Sequence, residues 1–362
     1  MISKSKKFFF SLHRNWMDEG KYFSKLFLFL PSFFFKGLVK TKNFFYDKGL
    51  LKAKRAKIPV ISIGNIIAGG SGKTPVTLAL IKNLLERSIK VGVVSRGYQS
   101  QKENENILGC MGKGPLYLSD IIGDEPYLMA KRYPSIFLGV GKKRLISCQK
   151  LFEKGVEVAL LDDGMQHRKL YRDLEIVVLH GEKIFGGNAF LPRGYLREDP
   201  KRLNRADLVL INHTKDFSRI KNIVKLYSKK PICFIGPKIS GVYSLDEKQK
   251  LSIKNNRIGV FCSIADPKPF IRLLKEAGAI VVETLFGLDH EPLSNSRLQM
   301  FAKRCKKAGA VQIICTEKDQ VKLLDSFKAS LPVGYVKMDI EFLHGKENWE
   351  LFMDKLINIM KK

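Results

Sequence analysis

The chain has 362 residues, 45% of them hydrophobic, which is enough for two domains or one large domain with an extension. Its 64 Lys and Arg against 35 Asp and Glu leave a formal charge of +29, so an anionic partner is expected: nucleic acid, a membrane surface or a phosphorylated substrate. The six cysteines are scattered, with no C-x-x-C pair and no Cys/His ligand spacing, which argues against a zinc cluster and for buried thiols in a reducing compartment.

Residues 1–57 carry 14 Lys and Arg against three acids, Asp18, Glu19 and Asp47, and hold 11 of the 24 Phe. The uncharged run between Lys25 and Lys36 is ten residues long and contains Pro31, whereas a spanning helix needs about 20 apolar residues. No small-residue cleavage site of a secretory signal follows it. Phe and Leu flanked by Lys suit an amphipathic segment lying in a membrane interface, with rings among acyl chains and ammoniums on anionic headgroups. Packing of the same rings on the protein's own core is the alternative.

The apolar run Ile58 to Ile63 then leads into Gly64-Asn65-Ile66-Ile67-Ala68-Gly69-Gly70-Ser71-Gly72-Lys73-Thr74-Pro75. This reads as a strand, a glycine-rich turn and a helix running to about Arg87, the layout of a phosphate loop. Backbone N–H groups of Gly69, Gly70, Ser71 and Gly72 would close around phosphate oxygens, Lys73 adds a mobile cation, and the Thr74 hydroxyl is placed for Mg²⁺. The strict G-x-x-x-x-G-K-[ST] pattern requires Gly where Ile67 stands. Pro75 suits the first helical turn, where its missing N–H costs nothing.

Further along, strands are expected at 91–94, 135–140, 156–161, 175–179 and 207–211, with helices at 124–133 and 144–154 between them. That alternation predicts a mostly parallel sheet covered by helices on both faces. Asp162 and Asp163 close the buried run Val156 to Leu161, the position from which a carboxylate partners the metal of a phosphate loop; adjacent buried aspartates are costly without a cation or hydrogen bonds. Gln166 and His167 follow and are placed to orient a phosphate or a water. Arg96 and Tyr98 end another strand on the same rim, suited to binding phosphate and to stacking. Asp124 and Glu125 open a helix, where acids also serve simply to complement the dipole. Arg193 and Arg197 lie in a basic loop, 188–198, that suits an anionic substrate.

Past about residue 230 a second set of elements appears, with strands at 258–262, 279–285 and 311–315 and helices at 269–276 and 298–307. An amphipathic helix at 349–359 closes the chain. The expected division is 1–57 as the basic membrane-contact segment, 58–228 as a phosphate-loop kinase domain and 229–362 as a smaller C-terminal α/β domain. No nucleic-acid-binding motif is visible, and aromatic–Lys clusters suit lipid better, so nucleic acid is not an expected partner.

Taken together, these stretches resemble the tetraacyldisaccharide 4′-kinase (lipid A 4′-kinase) family from about residue 25 to 325. The resemblance rests on Val60 to Asn65, Gly69 to Pro75, Ser95 to Tyr98, Gly123 to Pro126, Leu161 to His167, Leu196-Arg197-Glu198, Arg205-Ala206-Asp207 and Thr316-Glu317-Lys318-Asp319. It implies a membrane-associated kinase on the cytoplasmic face of the bacterial inner membrane. The activity implied is transfer of the γ-phosphate of ATP, with Mg²⁺, to the 4′-hydroxyl of an acylated glucosamine disaccharide 1-phosphate. Lys73 and Thr74 would hold phosphate and metal, Asp162 and Asp163 would be the metal-side carboxylates, and Asp124 would be the catalytic aspartate paired with His290. Arg96, Tyr98, Glu125, Arg144, Gln166, His167, Arg197 and Glu198 would line the active or lipid site. The chain departs from the family at Glu291, where a second histidine is usual, at Asp199, which precedes Pro200, and at Ser263-Ile264-Ala265-Asp266-Pro267. Another phosphate-loop small-molecule kinase or ATPase is the alternative reading.

Overall fold

The computed structural model describes residues 27–98, 100–264, 266–288, 293–323 and 329–361. Its strands are β1 (Val60–Gly64), β2 (Val91–Ser95), β3 (Ile107–Met111), β4 (Phe137–Val140), β5 (Val158–Asp162), β6 (Leu174–His180), β7 (Leu208–Asn212), β8 (Ile232–Ser244), β9 (Arg257–Cys262), β10 (Ile280–Phe286), β11 (Gln312–Thr316) and β12 (Val333–His344). The helices are α1 (Phe29–Asp47), α2 (Lys73–Leu85), α3 (Ser119–Ile122), α4 (Asp124–Arg132), α5 (Arg144–Glu153), α6 (Phe217–Lys225), α7 (Lys268–Glu276), α8 (Asn295–Lys307), α9 (Glu317–Gln320) and α10 (Lys346–Met360). All strands belong to one 12-stranded sheet, ordered β10-β9-β11-β12-β8-β7-β6-β1-β5-β2-β4-β3.

Every neighbouring pair is parallel except β3–β4 and β8–β12. In the first unit the strands bury both faces, as a sheet sandwiched between helices must. Ile61, Ile63, Val93 and Leu160 share one core with Leu80 and Ile81 of α2. Val60, Val94, Ala159 and Leu161 point the other way, onto Cys148 and Leu151 of α5. Sequence patterning indicates neither β3 nor the long pair β8 and β12. Gly236, Pro237 and Gly241 interrupt β8, and β12 alternates Val336, Met338, Ile340 and Phe342 with Lys337, Asp339 and Glu341, the signature of a half-exposed antiparallel ribbon.

That ribbon sets the geometry of the molecule. β8 pairs with β7 only through Ile232 to Phe234 and then continues past the carboxyl ends of the first unit's strands. β12 returns antiparallel along it, with Gly334 opposite Ser244 and His344 opposite Phe234. β11 attaches at the start of β12, from Ile313 opposite Val333 to Thr316 opposite Val336, and β9 and β10 follow in parallel. The second unit therefore sits beyond the first unit's carboxyl rim and runs back towards it, so the two carboxyl rims face each other. α10 then returns to the first unit: Trp349, Phe352, Met353 and Leu356 lie in the same core as Ile61 and Leu80. Chain order alone groups this helix with the second unit, and packing groups it with the first.

On the first rim, His180 ends β6 and His213 follows β7, their rings stacked with centroids 4.7 Å apart. Burial lowers the pKa of both; that of His213 falls to about 4, with His180 the next cause. Glu182, Lys183, Asp266 and Arg272 also act on the pair, the last two from the second unit. The folded state thus favours neutral rings, and the unfolded chain binds more protons below the ordinary histidine value of about 6.5. Stability from His213 is complete above pH 6.5 and is lost as pH falls towards 4, by roughly 2–3 kcal/mol, and His180 contributes in the same direction. His213 has a positive φ of 55°, which Asn tolerates, so His213→Asn is expected to flatten melting temperature against pH between 6.5 and 4. An unchanged slope in that variant would count against the assignment.

Candidate active site

The phosphate loop is shaped by its neighbours as much as by its glycines. Gly69 and Gly72 take φ of 105° and 84°, a conformation that L side chains resist. A Cβ on Gly72 would stand 2.4 Å from the Asn212 amide nitrogen. Across the loop, Asn65 Nδ2 donates to Ser71 Oγ at 3.0 Å. Ile67, in the place where the strict motif has Gly, is buried and bridges Leu196. Ala68 N–H donates to the Tyr195 carbonyl at 2.7 Å, and Arg197 N–H to the Ile66 carbonyl at 2.8 Å. The departure at Ile67 thus has a structural role: an apolar peg that fixes segment 195–198 against the loop and delivers Arg197 to the rim.

There Arg197 Nη1 donates to both oxygens of Asp163, at 3.0 and 3.2 Å, and Lys73 Nζ lies 3.4 Å from the same carboxylate. Burial acts to raise the Asp163 pKa, but Lys73 and Arg197 outweigh it and hold the carboxyl below the usual range. Asp162, one residue earlier, is in the opposite state. It is buried, accepts a hydrogen bond from Ser95 Oγ at 3.3 Å, and is pushed up to about 7 by burial and then by Glu125 and Asp163, against the pull of Lys73 and Arg144. Asp163 is held ionised by two cationic partners, whereas Asp162 sits in a surplus of negative charge that favours its protonated form until a cation balances it. That surplus, with the Thr74 hydroxyl in the first turn of α2, suits Mg²⁺, a hard cation that takes one or two carboxylates together with phosphate oxygens.

The remaining expected residues divide into two groups. Arg144 is buried at the start of α5, donates to the Gly141 carbonyl, and acts on Asp162 and Arg96. Arg96 pairs with Glu103 at 2.5 Å and lies over the exposed Tyr98 ring at 5.7 Å. These stand on the rim with the aspartates. Gln166 and Glu198 contact α1 instead. Gln166 donates to the Asn65 carbonyl at 2.9 Å, and its own carbonyl takes Lys42 Nζ at 2.9 Å. Asn43 of α1 donates to Glu198 at 2.7 Å, while burial raises the Glu198 pKa. His167 is kept neutral, its pKa lowered to about 4 by burial and then by Arg144 and Arg172.

Asp124 and Glu125, at the start of α4, face the second unit. Lys322 Nζ is 3.5 Å from Asp124 Oδ2 and Lys318 Nζ is 3.6 Å from Glu125 Oε1. Sequence reasoning assigns neither lysine a role, although Lys318 lies in one of the stretches that carry the family resemblance. Ser95 and Asn65 are likewise found only by their contacts. His290 lies outside the described residues, as do Asp289 and Glu291.

The sequence profile of a family described as "Tetraacyldisaccharide-1-P 4'-kinase" matches residues 24–358. The chain belongs to the tetraacyldisaccharide 4′-kinase family. Relatives bearing that family name include a Chlamydia abortus protein, 35% identical over 84% of each chain, and a Syntrophus aciditrophicus protein, 33% identical over 95% of this chain and 97% of its own. A crystal structure described as an apo form of LpxK from Aquifex aeolicus in complex with ATP superposes with a TM-score of 0.72 at 27% identity, covering 90% of this chain and 98% of the other. The 4′-kinase fold therefore extends over the whole of this architecture, both units and the ribbon that joins them.

Proposed function

We propose that this chain transfers the γ-phosphate of ATP to the 4′-hydroxyl of a tetraacylated glucosamine disaccharide 1-phosphate, working at the cytoplasmic face of the bacterial inner membrane. The observation that carries the reading is the convergence of Lys73, Asp162, Asp163 and Arg197 around the phosphate loop of a chain in the 4′-kinase family. ATP lies with its phosphates over residues 69–75, on backbone N–H donors and the Lys73 ammonium. Thr74 and Asp162 would hold Mg²⁺, which would supply charge neutralisation on the phosphoryl group. Arg197 keeps Asp163 in place and leaves Lys73 able to move to the phosphates. The acceptor hydroxyl oxygen forms a bond to the γ-phosphorus as the bond from that phosphorus to the β–γ bridging oxygen breaks, and ADP departs. Asp124 takes the hydroxyl proton, with His290 as the partner that the family resemblance assigns to it.

The outer face of α1 supports the membrane part of this reading. Phe29, Leu30, Phe33, Phe34 and Leu38 are exposed, while the inward side holds Ser32 and Asn43, bonded to Phe190 and Glu198. The inward side also packs Phe35 and Val39 on the core, so α1 carries large apolar residues on both faces, and the exposed set exceeds what a helix in water needs. Among the described residues no helix is long and apolar enough to cross a bilayer, so the proposed seating is in the plane of the interface. Burying a Phe or Leu is worth about 1.5–3 kcal/mol, so Phe33→Ser/Phe34→Ser/Leu38→Ser is expected to lower vesicle partitioning at least a hundredfold. Unchanged sedimentation with anionic vesicles would refute the seating.

The decisive assay is incubation of the full chain with Mg²⁺, γ-labelled ATP and tetraacyldisaccharide 1-phosphate in detergent. Label in the lipid is the expected result. ATP turnover without lipid labelling would mean that the phosphate loop serves another acceptor.

A further inference from the structure

The facing rims bring a second-unit element onto the proposed base. β11 ends at Thr316, whose hydroxyl takes the N–H of Asp319 at 3.1 Å and donates to the Asp319 carboxylate at 2.5 Å. Asp319 also accepts the Ser263 N–H from the end of β9, at 2.9 Å. The short helix α9 is thereby fixed to two strands of its own unit. Against the first unit it is held by Arg132, which pairs with Glu317 at 2.9 Å and donates to the Met338 carbonyl at 2.8 Å, and by Ser119 Oγ, which donates to the Val321 carbonyl at 3.4 Å. Lys318 and Lys322 stand four residues apart and so share one side of this turn. They meet Glu125 and Asp124, two adjacent acids nearly 200 residues earlier in the chain.

Lys322 is the less ordinary of the two. Its side chain is 6% exposed, and its Nζ has no hydrogen-bond partner among the described residues. A buried ammonium is costly unless charge or hydrogen bonds compensate it, and the compensating charges here are Asp124, 3.5 Å away across the two units, and Asp319 of its own turn, on which Lys322 also acts.

We propose that Lys322 is a positioning residue for phosphoryl transfer: from the second unit it holds the Asp124 carboxylate in the orientation needed to receive the acceptor's proton, with Lys318 doing the same for Glu125. The first unit thus carries the base and the second unit aims it, which gives the ribbon β8–β12 a role in catalysis as well as in folding. This inference rests on Asp124 being the base, as argued above.

The test is a double-mutant cycle on the full chain, with kcat and the KM for ATP measured in the lipid-labelling assay and melting temperature measured alongside. Lys322→Met is expected to lower kcat about 10- to 100-fold, the usual cost of losing a group that orients a reactive one. The KM for ATP should stay within about twofold, and Lys322→Arg should recover most of the loss. In an Asp124→Asn background Lys322→Met should add no further loss, because both act through one carboxylate. An equal loss in both backgrounds would overturn the proposal, since Lys322 would then act elsewhere. So would wild-type kcat in Lys322→Met beside an inactive Asp124→Asn, and that result would leave Asp124 standing as the base. Wild-type kcat in Asp124→Asn would instead remove the base assignment itself. Should Lys322→Met fail to fold, Lys322→Gln completes the same cycle.

Discussion

Asp124→Asn is expected to lower kcat by about 10²- to 10⁴-fold, the usual contribution of a positioned general base, while the KM for ATP stays close to that of the unaltered chain. The separation follows from the layout of the site. Asp124 opens α4 and faces Lys322, whereas the phosphate loop lies between β1 and α2 and takes its contacts from Asn65, Tyr195 and Arg197. Asn keeps the size of the side chain but carries no charge and cannot accept the proton. A chain that still folds and melts cooperatively, with a melting temperature lowered by the lost partner charge of the buried Lys322, would confirm that chemistry had been removed from a folded site. Near-unaltered turnover would end the base assignment, whatever the fate of the rest of the site.

Lys73→Ala is expected to lower kcat/KM for ATP by at least 10²- to 10³-fold, comparable to removing a single preorganised donor from a site of charge development. Lys73 is the cation of the phosphate loop, and its ammonium rests 3.4 Å from Asp163. Its loss leaves Asp163 paired with both contacts of Arg197, so no carboxylate is stranded and the fold should hold. Both kcat and KM should suffer, in contrast to Asp124→Asn, because Lys73 is assigned to bound ATP as well as to the transition state. Lipid labelling that survives this change would mean that phosphate is bound somewhere other than residues 69–75.

Much of the site was legible because its chemistry is local. A strand, glycines, Lys73 and Thr74 within a dozen residues read as the proposed phosphate cradle, and Asp162 and Asp163 close an apolar strand at the position proposed for a metal-side carboxylate. The helical and parallel-strand periods placed β1, β2, β5, β6 and β7 to within a few residues, because strands buried on both faces read as continuous apolar runs. β8 and β12 escaped for the opposite reason: the ribbon alternates, carries Gly236, Pro237 and Gly241, and leaves only the short run Ile232 to Ile235 as an apolar signal.

The sequence by itself determined the local elements: the phosphate loop, the paired aspartates, the parallel sheet of the first unit, and a basic, Phe-rich start to the chain. Those features depend on residues close together in sequence, where spacing and polarity dictate structure directly. Only the tertiary structure decided that Ile67 pegs segment 195–198 to the loop, and that Asp163 is paired with Lys73 and Arg197 while Asp162 is buried beside carboxylates that raise its pKa. It likewise decided that α10 belongs to the first core and that Lys322 meets Asp124. Each of these depends on register across the sheet and on the antiparallel return of β12, which brings distant residues within a few ångströms. Burial and charge pairing at such contacts are set by where the chain returns, and no spacing within a single segment records that.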